Sequence, residues 1–504
     1  MGGSAVTYAL AKQGLKVLVL ERGLQTFEES ATVQKHIENP EDRLRIGRWP
    51  TRLSGSVDGR DFDFFAPLGA GAGGSTLLYA SALDRFRRSD FAPRPHPAGG
   101  TLDWPLPYED LAPFYDQAET LLEVTGTPDP LDETASDLPA PPPLSLRDSD
   151  LFARFQGAGL SPYRLHHGYR FAPDCGPCLG RVCLKDCKRH AGNAFLDPAL
   201  ETGRVAILSD TEVTGFEASA DRVEAVNVIT NNETHRLTAP QVILAAGTYF
   251  SPVLLLKSTS EAWPTGLGNR NDQVGRHLMF HTGRSLAVWS TRKNPHDGPG
   301  KTIVFRDFYD TQAGKFGEIQ STGAEAAYGN VVYALRQMLA TSRFAKAPLL
   351  WHLARIPAFA ASRLLGHAAI FEVIMEDLPY AENRVALDAD APSGMRFHYT
   401  VSAELQERFD RYSKLVGTRL KGIRHIWLTH GMALNYGHPM GTCRIGTDPA
   451  NSVADAKGRV HGLKNLYIAD GSFMPTAGGT NPSLTIAAHG LRLGETLTGM
   501  RDHA

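Results

Sequence analysis

A helix of small apolar residues that leads directly into a short apolar strand constrains the fold of this chain most. Residues 4–13 (SAVTYALAKQ) place small side chains on one face, and Gly14 ends the predicted helix. Residues 16–20 (KVLVL) are nearly all apolar, which predicts a parallel strand buried on both faces. A helix followed by such a strand is half of a βαβ unit, so the chain is expected to contain an α/β domain.

Length and composition are typical of a globular protein with several domains. The chain has 504 residues, of which 42% are hydrophobic and 21% charged, and its formal net charge is −2. This balance gives no overall basic field for nucleic acid or an acidic membrane. The sequence shows neither a run of about 20 apolar residues nor a secretory signal at its start. We therefore expect a cytoplasmic protein without a transmembrane segment.

Two further regions have recognisable patterns. Residues 204–245 contain five short β-type runs, and Asn231-Asn232 supplies a hairpin turn between two of them. Residues 349–375 are apolar but interrupted by His and Arg. We expect this stretch to form core or substrate-cavity helices rather than a membrane-surface helix, which favours a bulky or hydrophobic substrate.

Glycines and an acid at the start of the chain suggest nucleotide binding. Gly2 and Gly3 precede the helix and Glu21 follows the strand, as expected where a helix N-terminus meets a pyrophosphate and an acid binds the ribose. An ordinary βαβ unit is the alternative. The first strand and the first two glycines of the full fingerprint do not appear in the sequence. We expect about ten or more upstream residues to supply them, the alternative being a true truncation that binds its cofactor poorly.

Later segments repeat the pattern of a strand that ends in small residues. Ala246 and Gly247 follow one strand, and Asp470-Gly471 follows another. Small residues there permit close backbone approach to a ligand, although an ordinary turn explains the first pair equally well. His438 lies in HPMGTCR, and Asn481-Pro482 precedes a helix, where simple N-capping by Asn481 is the alternative.

Taken together, these motifs resemble the glucose–methanol–choline (GMC) family of FAD-dependent oxidoreductases. The resemblance rests on GGS-helix-VLVLERG, AGAGGST, ILAAGTYFSP, HPMGTCR and ADGSFMPTAGGTNPSLTI, with support from WPLPYEDLAPFYDQAE and VGRHLMFH. It implies a doubly wound α/β FAD-binding domain and an α+β, sheet-based substrate domain. The FAD domain is expected to be discontinuous, over 1–27, 66–95, 185–290 and 430–504. The substrate domain then takes 291–429, with covering segments from 28–65 and 96–184.

The resemblance also implies roles for individual residues. His438 and Asn481 match the catalytic pair, and the expected FAD contacts are Gly2, Gly3, Glu21, Gly73, Gly74, Ser75, Val213, Ala246, Gly247, Asp470, Gly471 and Pro482. Tyr79 occupies a place where many relatives have Asn or His near the flavin.

The expected activity is oxidation of a CH–OH group of a small-molecule alcohol, with hydride transfer to flavin N5 and electrons passed to oxygen or another acceptor. A histidine has a suitable pKa for the base, and an amide can orient the substrate oxygen. Non-oxidative chemistry on the same fold, by a lyase or decarboxylase, and a truncated inactive module are the alternatives.

Four of the five cysteines are clustered. Cys175, Cys178, Cys183 and Cys187 lie within 13 residues and could hold zinc or an iron–sulfur cluster. Local disulfides or structural thiols are the favoured alternative. Cys443 is expected to be a packed small residue.

Overall fold

The computed structural model describes most of the chain. The residues outside its description are 29–37, 133–135, 172–178, 293–299, 326–330, 333–334, 337–338, 340–346, 348–349, 351–352, 354, 367 and 500–504.

The helices in the described part of the chain are numbered here in chain order. The α-helices α1 to α10 span Gly2–Lys12, Pro40–Arg45, Arg88–Phe91, Ala112–Leu121, Leu146–Gly157, Asp197–Leu200, Phe250–Lys257, Arg355–Leu365, Ala403–Arg419 and Ser483–Gly499. Short 3₁₀ turns lie at Gly74–Leu77, Tyr108–Asp110 and Gly471–Phe473, and a π-helical turn at Gly192–Leu196.

The strands are numbered in the same way. Strands β1 to β11 span Val17–Leu20, Leu53–Val57, Arg60–Phe64, Arg94–Pro95, Thr101–Leu102, Tyr163–Arg164, Val205–Leu208, Thr211–Ala218, Val223–Thr230, Glu233–Leu237 and Val242–Leu244. Strands β12 to β22 span Met279–Val288, Ile303–Phe305, Asp310–Thr311, Gly314–Lys315, Ile319–Glu325, Ala369–Met375, Arg384–Leu387, Met395–Tyr399, His425–Trp427, Ala433–Met440 and Leu466–Ile468.

Parallel strand pairs and two long helices form the first part of the fold. β1 pairs with β7 and β11 pairs with β22, both in parallel, while α1 packs against α10. The predicted helix and strand at the start of the chain are confirmed. The prediction that β1 is buried on both faces is wrong, since Leu18 is 47% exposed. The residues of β1 line a large cavity, so no second layer within the described part of the chain covers them on that side.

The β-rich region predicted over 204–245 is confirmed. β8, β9 and β10 form an antiparallel meander, and the turn between β9 and β10 is Asn231-Asn232. Both asparagines have positive φ, 51° and 63°, as a two-residue hairpin turn of this type requires. The resulting sheet packs against α7 through β8.

A larger antiparallel sheet forms the second part of the fold. Its strand order is β20-β12-β17-β16-β13-β6, and β21 also pairs with β12. A separate four-stranded sheet has the order β18-β19-β2-β3. The larger sheet combines strands from both predicted domains, and the domain boundaries themselves stay a prediction. The mixed helix and sheet architecture agrees with the predicted fold class.

Helix α8 is on the surface. Ile356, Phe359 and Leu364 are 69%, 56% and 68% exposed, while Leu365 packs against the large sheet through Ala287. The expectation that this apolar stretch forms core or cavity helices is therefore wrong for 355–365. The strand that follows, β17, is mostly buried, because it lies inside the sheet.

No helix in the described part of the chain is long and apolar enough to cross a membrane.

A cluster of aromatic rings joins the large antiparallel sheet to the four-stranded sheet. Phe397 is fully buried and lies within 6.2 Å, between ring centroids, of Phe64, Tyr249, Phe280 and Tyr436. Phe397 also fills the space beside Gly55, where an added Cβ would lie 2.3 Å from its ring. The contact explains why the parallel pairing of β2 with β19 needs a glycine at that position.

We predict that Phe397→Ala destabilises the protein by about 3–5 kcal/mol, because it leaves a cavity among these rings. The surface change Phe359→Ala is the control and should cost less than about 0.5 kcal/mol. Denaturant midpoints of the two variants and the parent measure the difference. Equal midpoints for the two variants would contradict the assigned core.

Candidate active site

The predicted site residues border one large cavity. The cavity measures about 2380 Å³ and lies between the parallel strand pairs and the large antiparallel sheet. Its walls include His438 and Asn481 together with all the predicted FAD contacts: Gly2, Gly3, Glu21, Gly73, Gly74, Ser75, Val213, Ala246, Gly247, Asp470, Gly471 and Pro482. The structure thus brings together residues that lie hundreds of positions apart in the sequence.

The N-terminus of α1 approaches the cavity closely because it begins with two glycines. A Cβ at Gly2 would lie 1.5 Å from the carbonyl oxygen of Ala469, and one at Gly3 would lie 2.8 Å from Cβ of Ala245. A larger side chain at either position would displace the strand ends of β11 and β22. The helix N-terminus and its N–H groups favour an anion at this point.

Glu21 connects the end of β1 to the glycine-rich loop at 69–75. Its Oε1 accepts hydrogen bonds from the N–H groups of Gly23, at 2.7 Å, and Gly71, at 3.0 Å. Burial raises the pKa of the carboxyl group above its ordinary value, although these two hydrogen bonds act in the opposite direction. Gly71 and Gly73 have φ of 135° and 119°, a region that L side chains rarely adopt.

Asp470 joins two of the predicted flavin-side turns. Its Oδ2 accepts from the N–H of Gly247, at 2.9 Å, and from the hydroxyl of Ser251, while Oδ1 accepts from the N–H of Ser472 at 2.9 Å. The carboxylate thereby fixes the turn after β11 relative to the turn after β22. Buried carboxylates with this many donors are well satisfied, so Asp470 has a structural role as well as its position on the cavity wall.

A bulge in β21 places His438 next to His281. Between the paired positions Met279–Met440 and His281–Asn435, β12 advances two residues and β21 advances five. Bulges of this kind redirect side chains beside active sites. The Nδ1 atoms of His281 and His438 are 3.0 Å apart.

The hydrogen bonds of His281 determine the tautomer of His438. Nε2 of His281 lies 3.1 Å and 3.0 Å from the carbonyl oxygens of Ala477 and Gly478, which only accept, so this nitrogen carries a hydrogen. Burial lowers the pKa of both histidines below the ordinary value, so both rings are neutral. Nδ1 of His281 is then the acceptor and Nδ1 of His438 the donor. His438 consequently has its lone pair on Nε2.

Asn481 is held by a network of buried charges. Its Nδ2 donates to Oε1 of Glu318 at 3.2 Å, and Oε2 of Glu318 accepts from Nε of Arg306 at 3.1 Å. Arg306 also donates to the hydroxyl of Thr480 and lies 3.6 Å from Asp84. Burial raises the pKa of Glu318 to about 7. The side-chain contact of Asn481 is thus made to Glu318, which fixes the direction of its amide.

Tyr79 lies on the cavity wall, where the resemblance placed it. Its hydroxyl donates to the carbonyl of Arg189 at 2.6 Å. The neighbouring Lys188 is fully buried, and its Nζ donates to the carbonyls of Leu77, Tyr79 and Arg181. These contacts attach the loop after Ser75 to the cysteine-containing segment.

The cysteine cluster is described only in part. Cys175 and Cys178 lie outside the described residues, while Cys183 is half-buried and Cys187 is buried with its thiol 3.6 Å from the carbonyl of Lys185. Among the residues that the structure describes, no group of three or more His, Cys, Asp or Glu could hold a metal. The prediction of zinc or an iron–sulfur cluster is therefore unsupported. Cys443 is fully buried, as expected of a packed small residue.

Sequence reasoning missed several side chains that shape the reactive end. His281 lies in a motif that supported the resemblance, but the motif assigned it no role. Nothing in the sequence pattern marks Glu318, Arg306 or Glu372 as site residues. The last residue of VGRHLMFH was the available clue to His281. The other three are ordinary charged residues in strand-like segments, and only the fold reveals that Glu318 and Arg306 are buried and that Glu372 borders the cavity.

The residues around the cavity fit FAD. The cavity exceeds the roughly 300–1,000 Å³ of typical small-ligand pockets, as a dinucleotide cofactor requires. At one end it has a glycine-rich helix N-terminus, a site suited to a pyrophosphate, and a Cβ at Gly74 would enter open space. At the other end are a neutral histidine and an amide.

Two family models described as GMC oxidoreductase match residues 51–283 and 379–490. Together with the fold and the cavity, they show that the chain belongs to the GMC oxidoreductase family, and it is an FAD-dependent oxidoreductase that acts on alcohol groups.

Similar proteins along the full length include enzymes with different substrates. Paromamine 6'-oxidase of Streptomyces fradiae is 29% identical, over 99% of this chain and 89% of that protein. 2-Methyl-1,2-propanediol dehydrogenase of Mycolicibacterium austroafricanum is 28% identical, over 99% of this chain and 93% of its own. The crystal structure of pyridoxine 4-oxidase from Mesorbium loti superposes with a TM-score of 0.65 at 19% identity, covering 99% and 97% of the two chains.

We predict that Gly71→Ala weakens FAD binding. The new Cβ would lie 2.5 Å from the ring of Phe27 and 2.7 Å from the carbonyl oxygen of Leu24, at a φ of 135°. Strain of this kind costs about 1–3 kcal/mol, so the FAD dissociation constant should rise roughly tenfold or more. Gly59→Ala is the matched control, with a φ of 75° and open space around its Cβ. Flavin titrations measure both, and an equal loss in the two variants would contradict a role for this loop.

Proposed function

We propose that the protein oxidises the CH–OH group of an alcohol, with His438 as the base and Asn481 as the group that orients the substrate oxygen. The observation that carries this proposal is the contact between His281 and His438, which leaves a lone pair on Nε2 of a neutral histidine beside the cavity. FAD, when bound, supplies the two-electron chemistry by accepting a hydride at N5.

His438 would remove the hydroxyl proton through Nε2. Burial and the nearby His281 and Lys301 lower the pKa of His438 well below its ordinary value, which keeps the ring neutral at pH 7 and ready to accept a proton. The charge that the ring gains on taking up this proton is stabilised at its other nitrogen, where the Nδ1–H of His438 donates to Nδ1 of His281. The substrate carbon is thereby activated for loss of hydride.

Asn481 would hold the substrate oxygen. One N–H of its amide is used by Glu318, which leaves the second N–H of the same nitrogen for an oxygen in the cavity. The amide cannot compete with His438 for the proton. The nearly buried position of the side chain, 8% exposed, limits its freedom to rotate away from that oxygen.

The choice of substrate rests on the names of similar proteins, whereas the roles of His438 and Asn481 rest on the geometry of the cavity. The names of similar proteins point to primary alcohols on hydrophilic molecules, such as paromamine, and to small diols. We therefore take paromamine and 2-methyl-1,2-propanediol as the first alcohols to test. Anaerobic reduction of the bound flavin by either alcohol would distinguish oxidation from non-oxidative chemistry and from an inactive module.

We predict that His438→Ala retains FAD but slows flavin reduction by roughly 10²–10⁴-fold, the usual cost of losing a general base. The exposed His235→Ala, on β10, is the control and should behave like the parent. Single-turnover reduction under anaerobic conditions measures the step directly. A rate within about threefold of the parent would rule out the base assignment.

We also predict the pH dependence of the same step. A base must be neutral to act, and its lowered pKa means that the rate of reduction should stay constant above about pH 6.5, the ordinary histidine pKa, with any decline at lower pH. Replacing His281 by Leu removes one cause of the lowered pKa, so the acid decline should move to higher pH and the rate should fall. An unchanged pH profile in His281→Leu would contradict the proposed coupling of the two histidines.

A further inference from the structure

A row of polar side chains crosses the floor of the cavity beyond the catalytic pair. Ser285 on β12 pairs with Glu372 on β17, and Glu372 pairs with Gln320 on β16. Laterally paired residues share one face of a sheet, and all three border the cavity. We call Ser285, Glu372 and Gln320 the polar row.

The polar row contains a buried acceptor for which the described part of the chain supplies no donor. Ser285 donates its hydroxyl to Oε2 of Glu372 at 2.6 Å, so one donor is already used. Oε1 of Gln320 is buried and has no hydrogen-bond partner among the described residues, and the side chain as a whole is only 4% exposed. A buried oxygen without a donor is unfavourable, so this arrangement is suited to a ligand that donates.

Glu372 also lacks a direct counter-charge. Among the residues described, no ion pair engages it, and burial raises its pKa to about 7 despite the Ser285 hydroxyl and the more distant Lys301. Arg336 and Lys301 are among the basic groups that border the same cavity, and of these two only Lys301 affects the pKa of Glu372. The field of Lys301 is divided among Glu318, Asp84 and Glu372. A cation placed against Glu372 would therefore form the first direct ion pair of this carboxylate among the described residues.

The row lies at a defined distance from the reacting end. Ser285 is four positions beyond His281 on the same strand, which at the usual rise corresponds to about 13 Å. A molecule that reaches both points must be about the size of two sugar rings. A purely apolar alcohol of that size would cover Glu372 and Gln320 without supplying a donor to either.

We propose that the polar row binds a protonated amine of the substrate, so that the substrate class is a hydroxyl-rich alcohol with an ammonium group about two rings away from the carbinol at His438. This rests on the proposed function for the identity of the reacting end. An ammonium has three donors and no acceptor, and its charge complements Glu372. A neutral hydroxyl at the same place supplies one donor and no charge.

The test uses two disaccharides that differ only at the amine. The β-1,4-linked disaccharide of glucosamine and cellobiose have the same rings and primary alcohols, but the first has amino groups where the second has hydroxyls. Binding to the FAD-loaded protein is measured by calorimetry, separately from anaerobic flavin reduction. The diamine should bind roughly 10- to 100-fold more tightly than cellobiose, the range for a hydrogen-bonded charge.

Two variants identify the carboxylate responsible. Glu372→Gln should remove the preference for the diamine, while Glu407→Gln, on the exposed face of α9, should keep it. Gln320→Glu adds a second carboxylate to the row and should increase the preference. It carries the test on its own if Glu372→Gln loses FAD or folds poorly.

The outcomes separate this proposal from the proposed function. Equal binding of the two sugars, no binding of either, or a preference that survives Glu372→Gln overturns the amine subsite, whatever the flavin does. Binding of the diamine that depends on Glu372 without any flavin reduction supports the subsite and counts against oxidation of this alcohol. Reduction by both sugars at equal efficiency and affinity supports oxidation and overturns the subsite.

Discussion

The register of β12 determines where both ends of the active site lie. This strand pairs with β17 on one edge and with β20 and β21 on the other. A shift of one residue would turn His281 and Ser285 to the opposite face of the sheet. The register is strongly specified, because Leu286 and Val288 on this strand are fully buried in the core between the sheets. Hydrophobic burial far from the cavity thus fixes the position of the polar groups inside it.

The same strand explains the bulge at His438. Regular antiparallel pairing from His281–Asn435 would place Gly437 opposite Met279. Met279 instead pairs with Met440, three residues further along β21. The extra residues of β21 are accommodated at the cavity wall, where His438 contacts His281. The loop before Asn481 provides the two carbonyls that fix His281. Three separate segments therefore have to fold correctly before one nitrogen has its lone pair in the required place.

The sequence contained enough information for the glycine-rich turns and for the segments of the predicted catalytic pair. Asn231-Asn232, the β-rich region and the first helix and strand follow local rules that need no knowledge of the rest of the chain. Leu18 and Phe359 show that local rules do not predict whether an apolar side chain is buried. Both are apolar residues in apolar segments, yet Leu18 borders the cavity and Phe359 faces solvent on α8. Burial depends on what packs against an element, which its own pattern does not contain. Glu318 illustrates the converse, since it is charged and is fully buried by strands that lie far from it in the sequence.

The spacing along β12 separates the histidine pair from the polar row, and this separation has an evolutionary consequence. His281 and Ser285 lie four residues apart on β12, and the hydrogen bond between His281 and His438 shares no side chain with the polar row. In the proposed roles, substitutions in the polar row would change which alcohol binds and would leave the histidine pair in place. Related chains with this arrangement could then differ in the alcohol that they bind while the residues at the reacting carbon stay the same.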